Sequence, residues 1–215
     1  MKSRTVASTE VGVIDPYVST RNFYDQNAES YAEATRSLLM DSLELFTKRL
    51  RRGARIIDLG CGSGRDLLSF SRLGFSAAGI DLSYRLAKSA AAYSKTPVVV
   101  GDMRSLPFPA ESFDGAWASA SLLHLRREDI QEALNDIQRV LQPGGYLFTS
   151  VKCGVGQGLD TKGRWFSYFE PHEWMAQLSQ AGLQVIESTS SLQIAATLDK
   201  TQSVDWITCT SQKLL

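Results

Sequence analysis

Short apolar runs alternate with helix-like stretches along most of this chain, and this alternation constrains the fold more than any other feature. The apolar runs cover residues 54–59, 75–80, 97–100, 113–118 and 145–151. Helical periodicity appears between them at 64–73, 83–94 and 127–141. Strands that alternate with helices pair in parallel through right-handed crossovers. The pattern therefore predicts an α/β fold with a doubly wound, mostly parallel sheet.

The segment before this pattern is predicted to be helical. Residues 20–50 suit one or two helices, with one apolar face formed by Leu39, Leu43, Phe46 and Leu50. A length of 215 residues suits one domain. We therefore expect one domain overall, with a mobile lead-in and helices over 1–50 and the sheet over 51–215.

The segment after the pattern changes character. Residues 153–165 contain four glycines and are predicted to form a long loop. A short helix that begins at Pro171 and ends before Gly182 follows the loop. Two final strands are predicted at 183–188 and 204–210.

Composition limits the compartment and the partners. The 23 basic and 23 acidic residues cancel, which argues against a nucleic-acid or membrane-surface partner. The first 16 residues lack the apolar core of a signal peptide, and no apolar run is long enough to span a membrane. Cys61, Cys153 and Cys209 form no Cys-x-x-Cys pair, so neither a metal site nor a disulfide framework is indicated. We expect a cytoplasmic protein without a bound metal.

A glycine-rich turn joins the first predicted strand to the first helix of the alternating pattern. Gly60, Gly62 and Gly64 follow Asp58 in the segment DLGCGSGR. Glycine permits unusual dihedrals and close approach of a ligand, and the helix N-terminus presents free N–H groups. In this architecture ligands bind at the carboxyl edge of the sheet, where such a turn lies. The spacing is G-x-G-x-G, and Arg65 stands where the dinucleotide fingerprint has its third glycine.

Two acidic residues follow the next two predicted strands. Asp81 ends the segment GID, where its carboxylate could bind both hydroxyls of a ribose. Asp102 follows VVVG, where it could accept a hydrogen bond from an adenine amino group, with Met103 beside the ring. In the alternative interpretation Asp81, together with Ser83, only caps the next helix.

The motifs DLGCGSG, GIDLS, GDMRSLPFPAESFD, LLHL and VLQPGGYL occur in this order. Together they resemble the class I S-adenosylmethionine-dependent methyltransferases, and most closely the small single-domain enzymes related to those of ubiquinone and menaquinone biosynthesis. The resemblance implies a Rossmann-like seven-stranded sheet with an antiparallel C-terminal strand. It also implies methyl transfer from S-adenosylmethionine to a small molecule by in-line displacement, with S-adenosylhomocysteine as product. Whether the acceptor atom is oxygen, nitrogen, sulfur or carbon stays open.

The resemblance also implies which residues contact the cofactor. Residues 23–31 resemble a Tyr-Asp-x-x-Ala-x-x-Tyr segment that covers the cofactor in many relatives, so part of 1–50 is expected to act as a helical lid. The expected cofactor contacts are Tyr31, Asp58, Gly60, Cys61, Gly62, Ser63, Gly64, Asp81, Leu82, Asp102, Met103, Ala118 and Ser119.

The acceptor is expected to lie beside the end of the fourth strand. His124 follows that strand and is the candidate general base and an acceptor contact; alternatively it caps or packs the next helix. The resemblance also implies that Arg164, Trp165 and Tyr168 lie over the mouth of the site, where the arginine could bind a carboxylate or phosphate. The other interpretation is that these rings only pack the loop on the sheet. Tyr24 is the remaining predicted acceptor contact.

Two other functions remain open at this point. A nicotinamide-dependent oxidoreductase shares the sheet topology, although the glycine spacing and Asp102 speak against it. A non-catalytic module that binds S-adenosylmethionine would keep the same motifs. The chain is expected to be a monomer or a homodimer with a small-molecule substrate.

Overall fold

The computed structural model describes residues 15–36, 41–193 and 204–215. The predicted lead-in before residue 15, and Leu39 of the predicted apolar face, lie outside the described residues. Seven helices are described, namely α1 (Pro16–Gln26), α2 (Ala28–Thr35), α3 (Asp41–Thr47), α4 (Arg65–Arg72), α5 (Tyr84–Ser94), α6 (Ile130–Val140) and α7 (Pro171–Gln180). The strands are β1 (Arg55–Leu59), β2 (Ser76–Asp81), β3 (Val98–Val100), β4 (Phe113–Ser119), β5 (Leu141–Lys152), β6 (Gln157–Leu159), β7 (Trp165–Ser167), β8 (Leu183–Gln193) and β9 (Val204–Lys213).

Seven strands form one sheet in the order β3-β2-β1-β4-β5-β9-β8. β3, β2, β1, β4 and β5 pair in parallel, whereas β9 runs antiparallel to both β5 and β8. The prediction of a doubly wound, mostly parallel sheet with one antiparallel strand near the C-terminus is therefore confirmed. The order reverses at β1 and β4, so a crevice opens at the carboxyl ends of these two strands.

Helices cover both faces of this sheet. On one face α6 buries an apolar stripe that includes Ile130, Leu134 and Ile137, because these residues recur every three or four positions. On the other face Phe46 of α3 packs on Trp117 of β4, with ring centroids 5.2 Å apart. Each face thus has its own apolar cluster, and the buried strands between them hold the carboxyl edge in place.

The segment after β5 differs from the prediction. Instead of a continuous loop, it contains β6 and β7, which pair antiparallel in a small second sheet. Asp160 closes the connecting turn, because its carboxylate accepts hydrogen bonds from the backbone N–H groups of Lys162 and Arg164. A side chain that stabilises a turn in this way is not recognisable from glycine content alone, which indicates only a loop.

The N-terminal helices also divide more finely than predicted. α1 ends at Asn27, whose backbone leaves the helical region and whose side-chain amide donates to the carbonyl of Phe23. Asparagine competes in this way for backbone hydrogen bonds and so favours a helix boundary. α1 and α2 together form the lid, which lies over the carboxyl edge of the sheet. Within the described residues, no helix combines the length and the apolar character needed to cross a membrane.

Candidate active site

Two adjoining cavities lie between the lid and the carboxyl edge of the sheet. The larger has a volume of ≈ 680 Å³ and the smaller ≈ 320 Å³. Both are bordered by Tyr31, Gly60 and Gly62, so the glycine turn forms the floor where they meet.

The glycine turn has room for a ligand only because it lacks side chains. Gly60 has φ +70°, and a Cβ at this position would lie 2.6 Å from the Cβ of Ser121. Gly62 has φ +54°, and its backbone N–H points at Asp81. The turn therefore brings bare backbone against the cleft, as a cofactor that contacts the main chain requires.

Asp81 lies at the end of β2 and lines the larger cavity. Its Oδ2 accepts from Gly62 N at 2.8 Å and its Oδ1 accepts from Ser83 N at 2.8 Å. Each oxygen keeps a lone pair for a further donor, which suits the two hydroxyls of a ribose. Burial raises the pKa of Asp81 to about 6, opposed by the two backbone hydrogen bonds and assisted by nearby Asp25.

This raised pKa predicts a pH dependence of cofactor binding. An ionised Asp81 accepts from both ribose hydroxyls, so affinity is complete above pH 6 and is lost as the pH falls below it. Calorimetric titration with S-adenosylhomocysteine should show an affinity about tenfold lower at pH 5 than at pH 7. The pKa of Asp58 is raised as well, so protonation of Asp58 is a second source of pH dependence. The variant Asp81→Asn, which has no ionisable group at position 81, is therefore measured beside the wild type. If the two proteins lose affinity in parallel, Asp81 is not the titrating group.

The smaller cavity contains opposite charges that suit an amino acid. Nε and Nη2 of Arg65 donate to Asp66 at 2.6 and 2.8 Å, and Trp117 Nε1 donates to the same carboxylate at 2.9 Å. This network fixes the guanidinium at the cavity wall, where it can bind a carboxylate. Asp58 lies buried nearby, and burial, together with Asp66, holds its pKa well above the ordinary value. The carboxylate of Asp58 accepts no hydrogen bond from the described residues, which leaves it available to an ammonium group.

The far end of the larger cavity has features that suit a nucleoside base. Asp102 accepts hydrogen bonds from Arg104 Nε and Nη2, the latter at 2.6 Å. The Arg104 guanidinium in turn stacks on the ring of Tyr17, 3.8 Å from its centroid. Ser121 Oγ is buried in this wall without a hydrogen-bond partner among the described residues. A buried hydroxyl in this condition favours a ligand that supplies the missing bond.

Hydrogen bonds hold the lid on the rim of the cleft. Thr20 Oγ1 accepts from the backbone N–H of Trp165 at 2.9 Å, and Asp25 accepts from Ser83 Oγ at 2.6 Å. The Tyr17 hydroxyl donates to Asp129. The lid therefore contacts both β7 and the N-terminus of α5.

His124 lies in a short 3₁₀ turn after β4 and connects the lid to β7. Its Nδ1 is 2.6 Å from the carbonyl oxygen of Trp165, so Nδ1 carries the proton and donates. Its Nε2 is 2.9 Å from the hydroxyl of Tyr24 and accepts from it. Burial lowers the pKa of His124 to about 4. The imidazole is therefore neutral at pH 7, with its basic nitrogen directed toward the cavity.

The structure brings most of the predicted site residues to the cavity walls. These are Tyr24, Tyr31, Asp58, Gly60, Cys61, Gly62, Ser63, Asp81, Leu82, Asp102, Met103, Ser119 and His124. These residues belong to the lid, to the ends of four strands and to the segments that follow those strands. One ligand of the size of the cofactor can contact the lid and the strand ends together.

Five predicted contacts lie outside both cavity walls. Gly64 packs against the backbone of Ala90, and Ala118 is fully buried inside the sheet. Three others belong to the segment after β5, where contacts within the protein occupy them. Arg164 is buried and donates to Asp160. The backbone carbonyl of Trp165 accepts from His124, and its backbone N–H donates to Thr20 of the lid. Tyr168 packs on Gly154.

Several cavity residues were not predicted from the sequence. The cavity walls also include Tyr17, Thr20, Arg21, Arg65, Asp66, Ser121 and Leu125. A signal for two of them was present, because Tyr17 and Arg21 recur at helical spacing with the predicted Tyr24 on one face of α1. Arg65 directly follows the third glycine, which places it in the first turn of α4.

Known proteins share this chain's sequence motifs and its fold. Residues 57–149 match the family described as "Methyltransferase domain". An O-methyltransferase of Aspergillus nomiae is 30% identical over 178 residues, 69% of this chain and 77% of that protein. A demethylmenaquinone methyltransferase of Corynebacterium kroppenstedtii is 29% identical over 131 residues, 58% of this chain and 56% of that protein. Among solved structures, the 1,6-didemethyltoxoflavin-N1-methyltransferase of Burkholderia thailandensis, with 1,6-didemethyltoxoflavin and S-adenosylhomocysteine bound, has a TM-score of 0.76 at 19% identity, covering 97% of this chain and 95% of that chain.

These matches differ in extent. The chain spans about half the length of several curated relatives that it matches. The Aspergillus nomiae protein, in contrast, is covered over more than two thirds of its length. The structural neighbour, at 19% identity, supports the fold. The motif order, the sheet topology and these relatives agree, and the chain belongs to the class I S-adenosylmethionine-dependent methyltransferases.

Proposed function

We propose that this protein methylates a hydroxyl group of a small molecule, and that Nε2 of His124 accepts the hydroxyl proton. The observation that carries this proposal is the chain of hydrogen bonds from Trp165 O through His124 to Tyr24. Because the Trp165 carbonyl holds the proton on Nδ1, Nε2 carries the lone pair; it accepts from the Tyr24 hydroxyl, and the acceptor hydroxyl takes the place of Tyr24 on Nε2 when it binds. A lone pair in this place suits an acceptor that arrives protonated.

The neutral state of His124 fits this role. S-adenosylmethionine supplies a methyl group on a sulfonium, and the new oxygen–carbon bond forms as the carbon–sulfur bond breaks and leaves its electron pair on sulfur. An alcohol or phenol oxygen becomes strongly acidic as it gains the methyl group, so even a weakly basic imidazole accepts its proton. With a pKa of about 4, His124 is not already protonated at pH 7. The proton then passes from Nε2 to water when the lid opens.

The remaining wall of the larger cavity supports a small, partly aromatic acceptor. Tyr24 from the lid and Leu125 beyond His124 provide apolar surface there. Tyr24 and His124 are in edge contact, with ring centroids 5.4 Å apart. Aromatic walls of this kind bind flat rings and exclude water from the reacting atoms. The Aspergillus nomiae relative is an O-methyltransferase, which agrees with a hydroxyl acceptor.

A product analysis tests the proposal. The purified protein is incubated with S-adenosylmethionine carrying a ¹³C-methyl group and with a panel of phenols, enols, quinols, amines and thiols. We expect a ¹³C signal in the methoxy region for phenols or enols and none in the N-methyl region. Ring methylation of quinols without a methoxy product would overturn the proposal, as would N- or S-methylation alone. S-adenosylhomocysteine binding without any product would favour the non-catalytic module.

A further inference from the structure

Arg21 is a cation that faces the larger cavity from the lid. It lies one helical turn after Tyr17 and one before Tyr24, and all three line the same cavity. Arg21 is half-buried, and its recorded polar contact is a weak one, from Nη2 to Asn22 Oδ1 at 3.4 Å. Among the described residues no carboxylate lies within ion-pair distance of it.

The other arginines around the site differ from Arg21 in this respect. Arg65, Arg104 and Arg164 each donate to a carboxylate of a nearby residue at 2.6 Å. Each of them has a carboxylate partner within the protein that fixes its position, and Arg65 keeps further N–H donors for the cofactor carboxylate. A half-buried guanidinium loses hydration without gaining a partner, which is costly unless a ligand supplies the opposite charge. Because Arg21 lacks the carboxylate partner that these arginines have, we expect a ligand to supply the negative charge that pairs with it.

The cofactor does not account for this charge. The carboxylate of its amino-acid end is expected at Arg65, in the smaller cavity. Asp81 and Asp102 are already bonded to backbone N–H groups and to Arg104, and both are expected to bind the nucleoside. The ligand that remains to neutralise Arg21 is the methyl acceptor.

We propose that Arg21 recognises a carboxylate substituent on the acceptor, so that the preferred acceptors are aromatic or enolic hydroxy acids. This inference rests on the proposed function in one respect, namely that the acceptor lies in the larger cavity. The planar guanidinium matches a carboxylate with two parallel hydrogen bonds. The reacting hydroxyl lies at His124, and the carboxylate at Arg21 orients the ring between them.

Fragment binding tests this assignment without any turnover. Benzoate and benzamide have nearly the same shape, and only benzoate carries a charge. Calorimetry on protein saturated with S-adenosylhomocysteine should give an affinity about tenfold higher for benzoate than for benzamide. Arg21→Gln should abolish this preference by weakening benzoate alone, and Arg21→Lys should keep part of it.

A matched variant controls for the change in net charge. Arg72 is exposed at the end of α4 and lines neither cavity, so Arg72→Gln should keep the wild-type preference. S-adenosylhomocysteine affinity of Arg21→Gln confirms that the variant is folded. Equal affinity for both fragments, no benzoate binding, or a preference that survives Arg21→Gln would overturn the inference. Failure of the proposed function appears separately, as the absence of an O-methylated product.

Discussion

Replacement of His124 by asparagine is expected to lower kcat for a phenolic acceptor about 100-fold. The asparagine amide can still donate to the Trp165 carbonyl, as Nδ1 of His124 does at 2.6 Å, so the local fold is retained. It places no basic nitrogen beside the Tyr24 hydroxyl, where Nε2 lies at 2.9 Å. The proton of the acceptor then has no base within the cavity. The measurement is steady-state turnover on the phenol found in the product screen.

A second acceptor separates a base from a structural residue. A nitro group on the same phenol makes the hydroxyl acidic enough to be ionised in the assay, so no proton needs removal. His124→Asn should then be nearly as active as the wild type. Tyr24→Phe, which keeps the base, should lose only a few-fold on either acceptor. An equal loss on both acceptors after His124→Asn would mean that His124 only maintains the shape of the cavity.

Replacement of Gly64 by alanine is expected to destabilise the protein by about 3 kcal/mol. Gly64 has φ +79°, and a Cβ there would lie 2.8 Å from the Cα of Ala90 and 2.9 Å from its carbonyl oxygen. Both contacts are with the backbone of α5, which cannot move without shifting the helix beside the ribose-binding edge. Thermal unfolding should show a midpoint about 6–12 °C lower.

Gly74 provides a matched control for this substitution. Its φ is +84°, and a Cβ there would meet no atom within 4 Å. Gly74→Ala therefore adds the backbone strain without the collision and should cost about 1 kcal/mol. Similar losses at the two positions would mean that α4 and α5 can separate to accept the methyl group, and close packing at Gly64 would not be the cause.

The sequence predicts those parts of the fold that follow a periodic pattern of apolar residues. Alternating apolar runs and helical stripes placed the parallel strands and the helices between them, because periodicity records which faces are buried. The glycine turn and the acids at the ends of β2 and β3 were identified because chain order fixes which strand ends carry them. Since parallel strands end at one edge, Asp58, Asp81 and Asp102 lie along the same edge of the sheet.

The tertiary structure alone decided how charges and protons are arranged in the cleft. Arg164 follows a loop, and its sequence context suggested an acceptor contact, yet Asp160 binds its guanidinium. No motif in the sequence marks Arg21, which faces the cavity without a carboxylate partner among the described residues. Tyr24 and His124 are 100 positions apart and meet at 2.9 Å. Hydrogen bonds and desolvation depend on distances of a few tenths of an ångström between such distant residues. Residue types and periodicity determine which face is buried, whereas the folded chain alone determines which polar group is left for the substrate.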